Sequence, residues 1–108
     1  MVDGVGTVVK RLKVGVKYDG EKPRWDLVHL DLIEDMAKVL TFGARKYADD
    51  NWIKVPGAKK RYLAAHLRHM TKYYEGEILD PESGLPHLDH ADCCLHFIKY
   101  FQKYGGGE

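Results

Sequence analysis

The chain has 108 residues, 44% hydrophobic and 31% charged, which is the composition of an ordinary globular protein and enough for one compact core but not two. Its formal net charge of +1 excludes a disordered acidic tail and a general nucleic-acid binder, so nucleic acid is not an expected partner. No apolar stretch approaches the roughly 20 residues of a membrane span, and the opening MVDGVGTVVKRLK lacks the order of a signal peptide, so a cytoplasmic protein with no membrane partner is expected.

The valine-rich residues 5–18, partly alternating with basic side chains, read as an extended arm or weak strand pair, and GEKPR then breaks the chain into a charged loop. From about Leu30 to Tyr47, the spacing of Ile33, Met36, Ala37, Leu40, Ala44 and Tyr47 predicts an amphipathic helix with Asp31, Glu34, Lys38 and Arg45 in water. A loop over residues 48–58 is expected from Asn51 and Pro56-Gly57, followed by a second helix from about Lys60 to Gly76. The segment EILDPESGLP is turn chemistry throughout, and Pro86 opens a third helix, His87 to Tyr104, which stops at three glycines that would leave a frayed tail. The fold class expected is therefore all-α. It is a single domain over 1–108 with an extended N-terminal arm and loop (1–28) and a three-helix body (29–104). So thin a core for this many apolar side chains calls for a homo-oligomer.

Four histidines come in two His-x-x-His pairs, one on each of the last two helices. On helical wheels His66, His69 and Tyr73 flank the apolar stripe Leu63, Leu67, Met70 and Tyr74, while His87, His90 and Cys94 share a face with Ala91, Ile98 and Phe101. His96 falls on the opposite, charged side. A short link makes the two helices an antiparallel hairpin, and the four rings share a site only if the link folds back over them. Imidazoles at i and i+3 on facing helices can hold a metal, with zinc, nickel or iron suited to such ligands. They can equally be core-edge histidines bonded to neighbours, or grip phosphates directly with Arg68 beside them. Cys93 and Cys94 are adjacent and cannot staple distant segments, so both are read as reduced.

Two loops flanking the first helix mix charge and aromatic faces. Lys22, Arg24 and Lys46 are candidates for phosphate, and Trp52 and Tyr73 for stacking on a base. Trp25 and Trp52 can also simply anchor their loops. No phosphate-binding glycine loop, dinucleotide fingerprint or nucleophile elbow is present. Ser83 is the only serine, and it lies in a turn.

The pieces KYDGEKPRWDLV, LIEDMAKVLTFGARKYADDNW, RYLAAHLRHMTKYYEGE and LDPESGLPHLDHADCCLHF, in that order over about residues 17–98, resemble the phage dATP/dGTP diphosphohydrolase N-terminal domain family. The resemblance implies an all-α, MazG-like pyrophosphohydrolase that cuts a purine deoxynucleoside triphosphate to monophosphate and pyrophosphate with magnesium or manganese, inside a bacterial host. MazG-like enzymes show ExxE and ExxD on successive helices; here His66 with His69 and His87 with His90 stand in the matching places. Magnesium prefers oxygen ligands, so this departure implies a different metal, ligands among Glu75, Asp80, Glu82, Asp89 and Asp92, or no catalysis. The expectation is hydrolysis of a (deoxy)nucleoside triphosphate, with His66, His69, His87 and His90 on the metal and Asp92 or Glu82 positioning water. The alternative is a non-catalytic binder of nucleotides or nucleotide signals.

Overall fold

The computed structural model describes residues 13–108, and in them the chain is all-α: α1 (Leu30–Lys46), α2 (Ala58–Tyr74) and α3 (His87–Tyr104), with short 3-10 turns at Trp25–Leu27 and Asn51–Lys54. Residues 13–19 form no strand, and the rest of the strand pair expected over 5–18 lies outside the described residues. Among the described residues no helix is long and apolar enough to cross a membrane.

Helices α2 and α3 form the antiparallel pair. His69 meets His87 and His90 at one end, Tyr62 meets Phe97 in the middle, and Lys59 meets Gly107 at the other. Helix α1 leans on α3, where Val39 packs with Cys93 and Phe97, and Met36, Leu40, Trp52, Tyr62 and Leu85 close round them. Trp52 lies flat on Phe97 at 4.2 Å and meets the edges of Tyr100 and Phe101, so its indole ties the loop after α1 to the centre of α3.

The wheel of α1 is turned from the expected one. Its interior side runs through Asp35, Met36, Val39 and Leu40 to Phe42, while Ile33 and Tyr47 stay exposed. The wheel of α2 is nearly inverted. Leu63 and Leu67 are about half exposed and Tyr74 is 91% exposed, whereas Ala58, Tyr62, Ala65, His66 and His69 face inward. Apolar count alone set the expected faces. The inner side of α2 is instead fixed by what fits beside α3 and the link, where small and polar side chains find partners.

The glycine tail does not fray. Nothing in Gly57 or its neighbours caps the start of α2 with a side chain. The carbonyls of Glu108 and Gly107 take that place, accepting from the amides of Gly57 (2.8 Å) and Lys59 (3.0 Å) that a helix N-terminus leaves without partners. Gly107 sits at φ 79°, and a Cβ there would stand 2.7 Å from the Phe101 ring, so the return of the chain requires glycine.

Candidate functional site

Twelve residues separate α2 from α3, and they fold back over the helix ends. Leu79 and Pro86 pair as an isolated bridge, the Asp80 amide donates to the Leu85 carbonyl (2.8 Å), and the His87 amide donates to the Ile78 carbonyl (2.8 Å). Asp80 staples the turn from inside, its carboxylate accepting from the Ser83 amide (3.0 Å) and hydroxyl (2.9 Å). Asp and Ser make such local bonds because their short side chains reach the backbone two or three residues on.

This turn delivers its side chains to the histidines. His87 Nε2 lies 2.8 Å from the Glu77 carboxylate, and His87 Nδ1 lies 2.8 Å from His69 Nδ1. His90 Nε2 is 2.6 Å from the Ser83 hydroxyl and 3.6 Å from the Asp80 carboxylate. The His69 and His90 rings stack almost parallel, 4.7 Å between centroids. Three of the four expected imidazoles therefore come together. His66 does not join them; its Nδ1 bonds the Ala91 carbonyl at 2.7 Å.

Burial first, then the neighbouring His90 and His87, holds the His69 imidazole down at about 4, and burial likewise lowers His90. Both rings are neutral at neutral pH. Burial pushes Asp80 upward, but the Ser83 hydroxyl and amide outweigh it, and the carboxylate ends below its ordinary value. As arranged, the four histidines do not fit one shared metal. His66 points elsewhere, His87 spends both ring nitrogens on Glu77 and His69, and no group of three or more His, Cys, Asp or Glu side chains among the described residues stands in a metal-holding arrangement.

His69 and His90 border a cavity of about 230 Å³ between the three helices. Its floor is apolar, with Val39, Tyr62 and Phe97, and its polar side carries Lys46, Asp80 and Glu82. That is smaller than the roughly 300 Å³ at which whole-ligand pockets begin, so it has room for part of a nucleotide. Lys46, from the last turn of α1, is ion-paired with Glu82 of the link, which raises its pKa.

The other expected residues fall elsewhere. Lys22 and Arg24 border a separate surface hollow, with Arg24 paired to Asp26 at 2.5 Å. Arg68 and Tyr73 are exposed on α2. Trp52 gives one face to Phe97. Asp92 is exposed and belongs to an acidic seam between α1 and α3. There burial, then Asp35 and Asp92, pushes the Asp89 carboxyl up. Glu77 is one of the acidic residues of the link that the sequence offered as oxygen ligands or partners for the histidines, and it bonds His87. Wheel reasoning missed Ser83 and the inward turn of Asp35; the signal for Ser83 was the link itself, whose hydroxyl had to bond something once it folded back.

The comparisons agree with one another. The family described as dATP/dGTP diphosphohydrolase, N-terminal, matches residues 13–107. A protein of Salmonella phage PMBT28 named dATP/dGTP diphosphohydrolase is 36% identical over 85 residues, which cover 78% of this chain and 28% of that relative. The chain thus spans well under half of the relative's length. No solved structure matches it. With nearly all of its described residues inside the family's bounds, and the histidine-bearing link within them, the chain belongs to the dATP/dGTP diphosphohydrolase N-terminal family.

Proposed function

We propose that the chain hydrolyses a nucleoside triphosphate at the three-helix cavity, with a purine deoxynucleotide cut to its monophosphate and pyrophosphate. The observation that carries this reading is the pairing of an apolar floor with a cation, carboxylates and neutral imidazoles on one side of a single small cavity, in a chain whose relative is named for acting on dATP and dGTP. Part of the base or sugar enters and the phosphates lie at the mouth. Lys46 exchanges its Glu82 partner for phosphate oxygen, a cheap exchange because exposed ion pairs contribute little. His69, held neutral, accepts a hydrogen bond from the attacking water, and the Glu82 released from Lys46 helps orient it.

The divalent cation travels with the substrate in this reading. Magnesium keeps several waters and binds through one or two carboxylates plus the substrate's phosphates, so a complete protein cage is not required. Asp80 and Glu82, which line the cavity, are the carboxylates that would contact it. The exposed Leu63, Leu67 and Met70 on α2 support a homo-oligomer, since a contiguous apolar face on a small chain is normally covered. A second reading, capture of the nucleotide without cleavage, draws support from imidazoles whose bonds are already satisfied within the chain.

The test is incubation with each deoxynucleoside triphosphate plus magnesium or manganese, with pyrophosphate as the readout. Release from a purine nucleotide is expected, abolished in His69→Ala and shifted to higher KM in Lys46→Ala. Tight binding with intact nucleotide recovered selects the second reading, and neither binding nor release removes both.

A further inference from the structure

A carboxylate, a buried imidazole and a second imidazole stand in one hydrogen-bonded line from Glu77 through His87 to His69. We propose that Glu77 and His87 are positioning residues that lock His69 into the tautomer with its proton on Nδ1, leaving Nε2 as the bare, electron-donating nitrogen. The importance of this for catalysis rests on the hydrolysis proposed above; the tautomer itself does not.

The proton count fixes the direction. An ionised carboxylate only accepts, so the 2.8 Å contact to Glu77 requires a proton on His87 Nε2. His87 is 3% exposed and stands beside His69. Where the His87 ring carries that one proton, its Nδ1 is a lone pair. The 2.8 Å contact between the two Nδ1 atoms needs one donor, and only His69 can supply it. His69 is neutral, so its single proton is used there and Nε2 is left unprotonated.

The link treats His90 in the same way from the other side. The Ser83 hydroxyl gives its one proton to Asp80 at 2.9 Å, so at 2.6 Å it accepts from His90 Nε2–H, and His90 keeps its lone pair on Nδ1. Two stacked rings at the cavity edge are thus set from the link, one by Glu77 through His87 and the other by Ser83 with Asp80. Second partners of this kind decide which imidazole nitrogen is available for work. Glu77 is not one of the residues that line the cavity, and its hydrogen bond reaches His69 through His87.

The experiment is two-bond nitrogen–proton correlation NMR of the histidine rings in the full chain, uniformly nitrogen-15 labelled, at neutral pH. In the unaltered chain His69 is expected as a single tautomer protonated at Nδ1, and His90 as one protonated at Nε2. In Glu77→Ala the His69 signals should collapse toward a mixture of tautomers while His66, bonded to the Ala91 carbonyl, stays unchanged as an internal control. Glu77→Gln should restore the native pattern, because its side-chain carbonyl still accepts. A proton on His69 Nε2 in the unaltered chain overturns the proposal, as does an unmoved His69 in Glu77→Ala. Kinetics separate it from the activity: Glu77→Ala should lower kcat with KM held, whereas correct tautomers in a chain that cleaves no nucleotide keep the relay and discard the hydrolysis.

Discussion

The link between α2 and α3 and the outer surface of α1 are built from similar residues, charged and short polar side chains beside a few apolar ones, yet they end in different physical states. In the link, Glu77 and Ser83 each bond a histidine ring, Asp80 bonds the Ser83 amide within the turn, and His87 is buried beside them. On α1, Glu34 stays in water, Lys38 makes only a loose 3.7 Å pair with Asp35 one turn back, and Val39 alone is fully buried. What separates them is packing on a second element. Polar groups become structural where water is excluded and every bond must be found inside the protein, and remain interchangeable where water can replace the partner.

That contrast is sharpened most by Phe101→Ala. The ring is 2% exposed, meets Trp52 and underlies the Gly107 return, so its loss should cost about 3–5 kcal/mol, read as a lowered urea midpoint, and should loosen the tail from α2. A drop no larger than that of a surface change would mean that the packed half is not the stable half.

Acid comes next. The imidazoles of His69 and His90 lie lower in the folded chain than the ordinary 6.5, so between about 6.5 and 4 the unfolded chain binds protons that the folded one refuses. Stability there rises with pH. It should be level just above 6.5 and fall as pH drops toward 4, with the raised Asp89 opposing that fall in part and the lowered Asp80 adding its loss only below 3.8. Unfolding midpoints at pH 7, 5.5 and 4.5 check this, and equal midpoints would contradict the burial of the rings.

Lys38→Ala marks the small end. Its partner distance and exposure put the change within about 0.5 kcal/mol, and a larger loss would show α1 to be more tightly integrated than its packing implies.

Some features of this protein follow from its residues alone. Pro86 with the turn-rich segment before it and the glycines after Tyr104 bound α3 as found, His87–Tyr104, because backbone restrictions act locally. Family membership was also readable, since ordered strings of residues survive without any knowledge of their contacts. The pairing of histidines across the hairpin was legible in part: periodicity put them on facing helices, and three of the four rings do meet.

Other features were settled only when the helices packed. Which side of α2 turns inward, the separation of His66 and Asp92 from the ring cluster, and the use of Trp52 against Phe97 depend on the neighbour each side chain meets. Hydrophobic pattern sorts residues by affinity for water, but it carries no record of shape or of which donor stands opposite which acceptor. The same holds for the proton positions along Glu77, His87 and His69: no single residue has a preferred tautomer strong enough to fix them, and the hydrogen-bond partner supplied by the folded link decides.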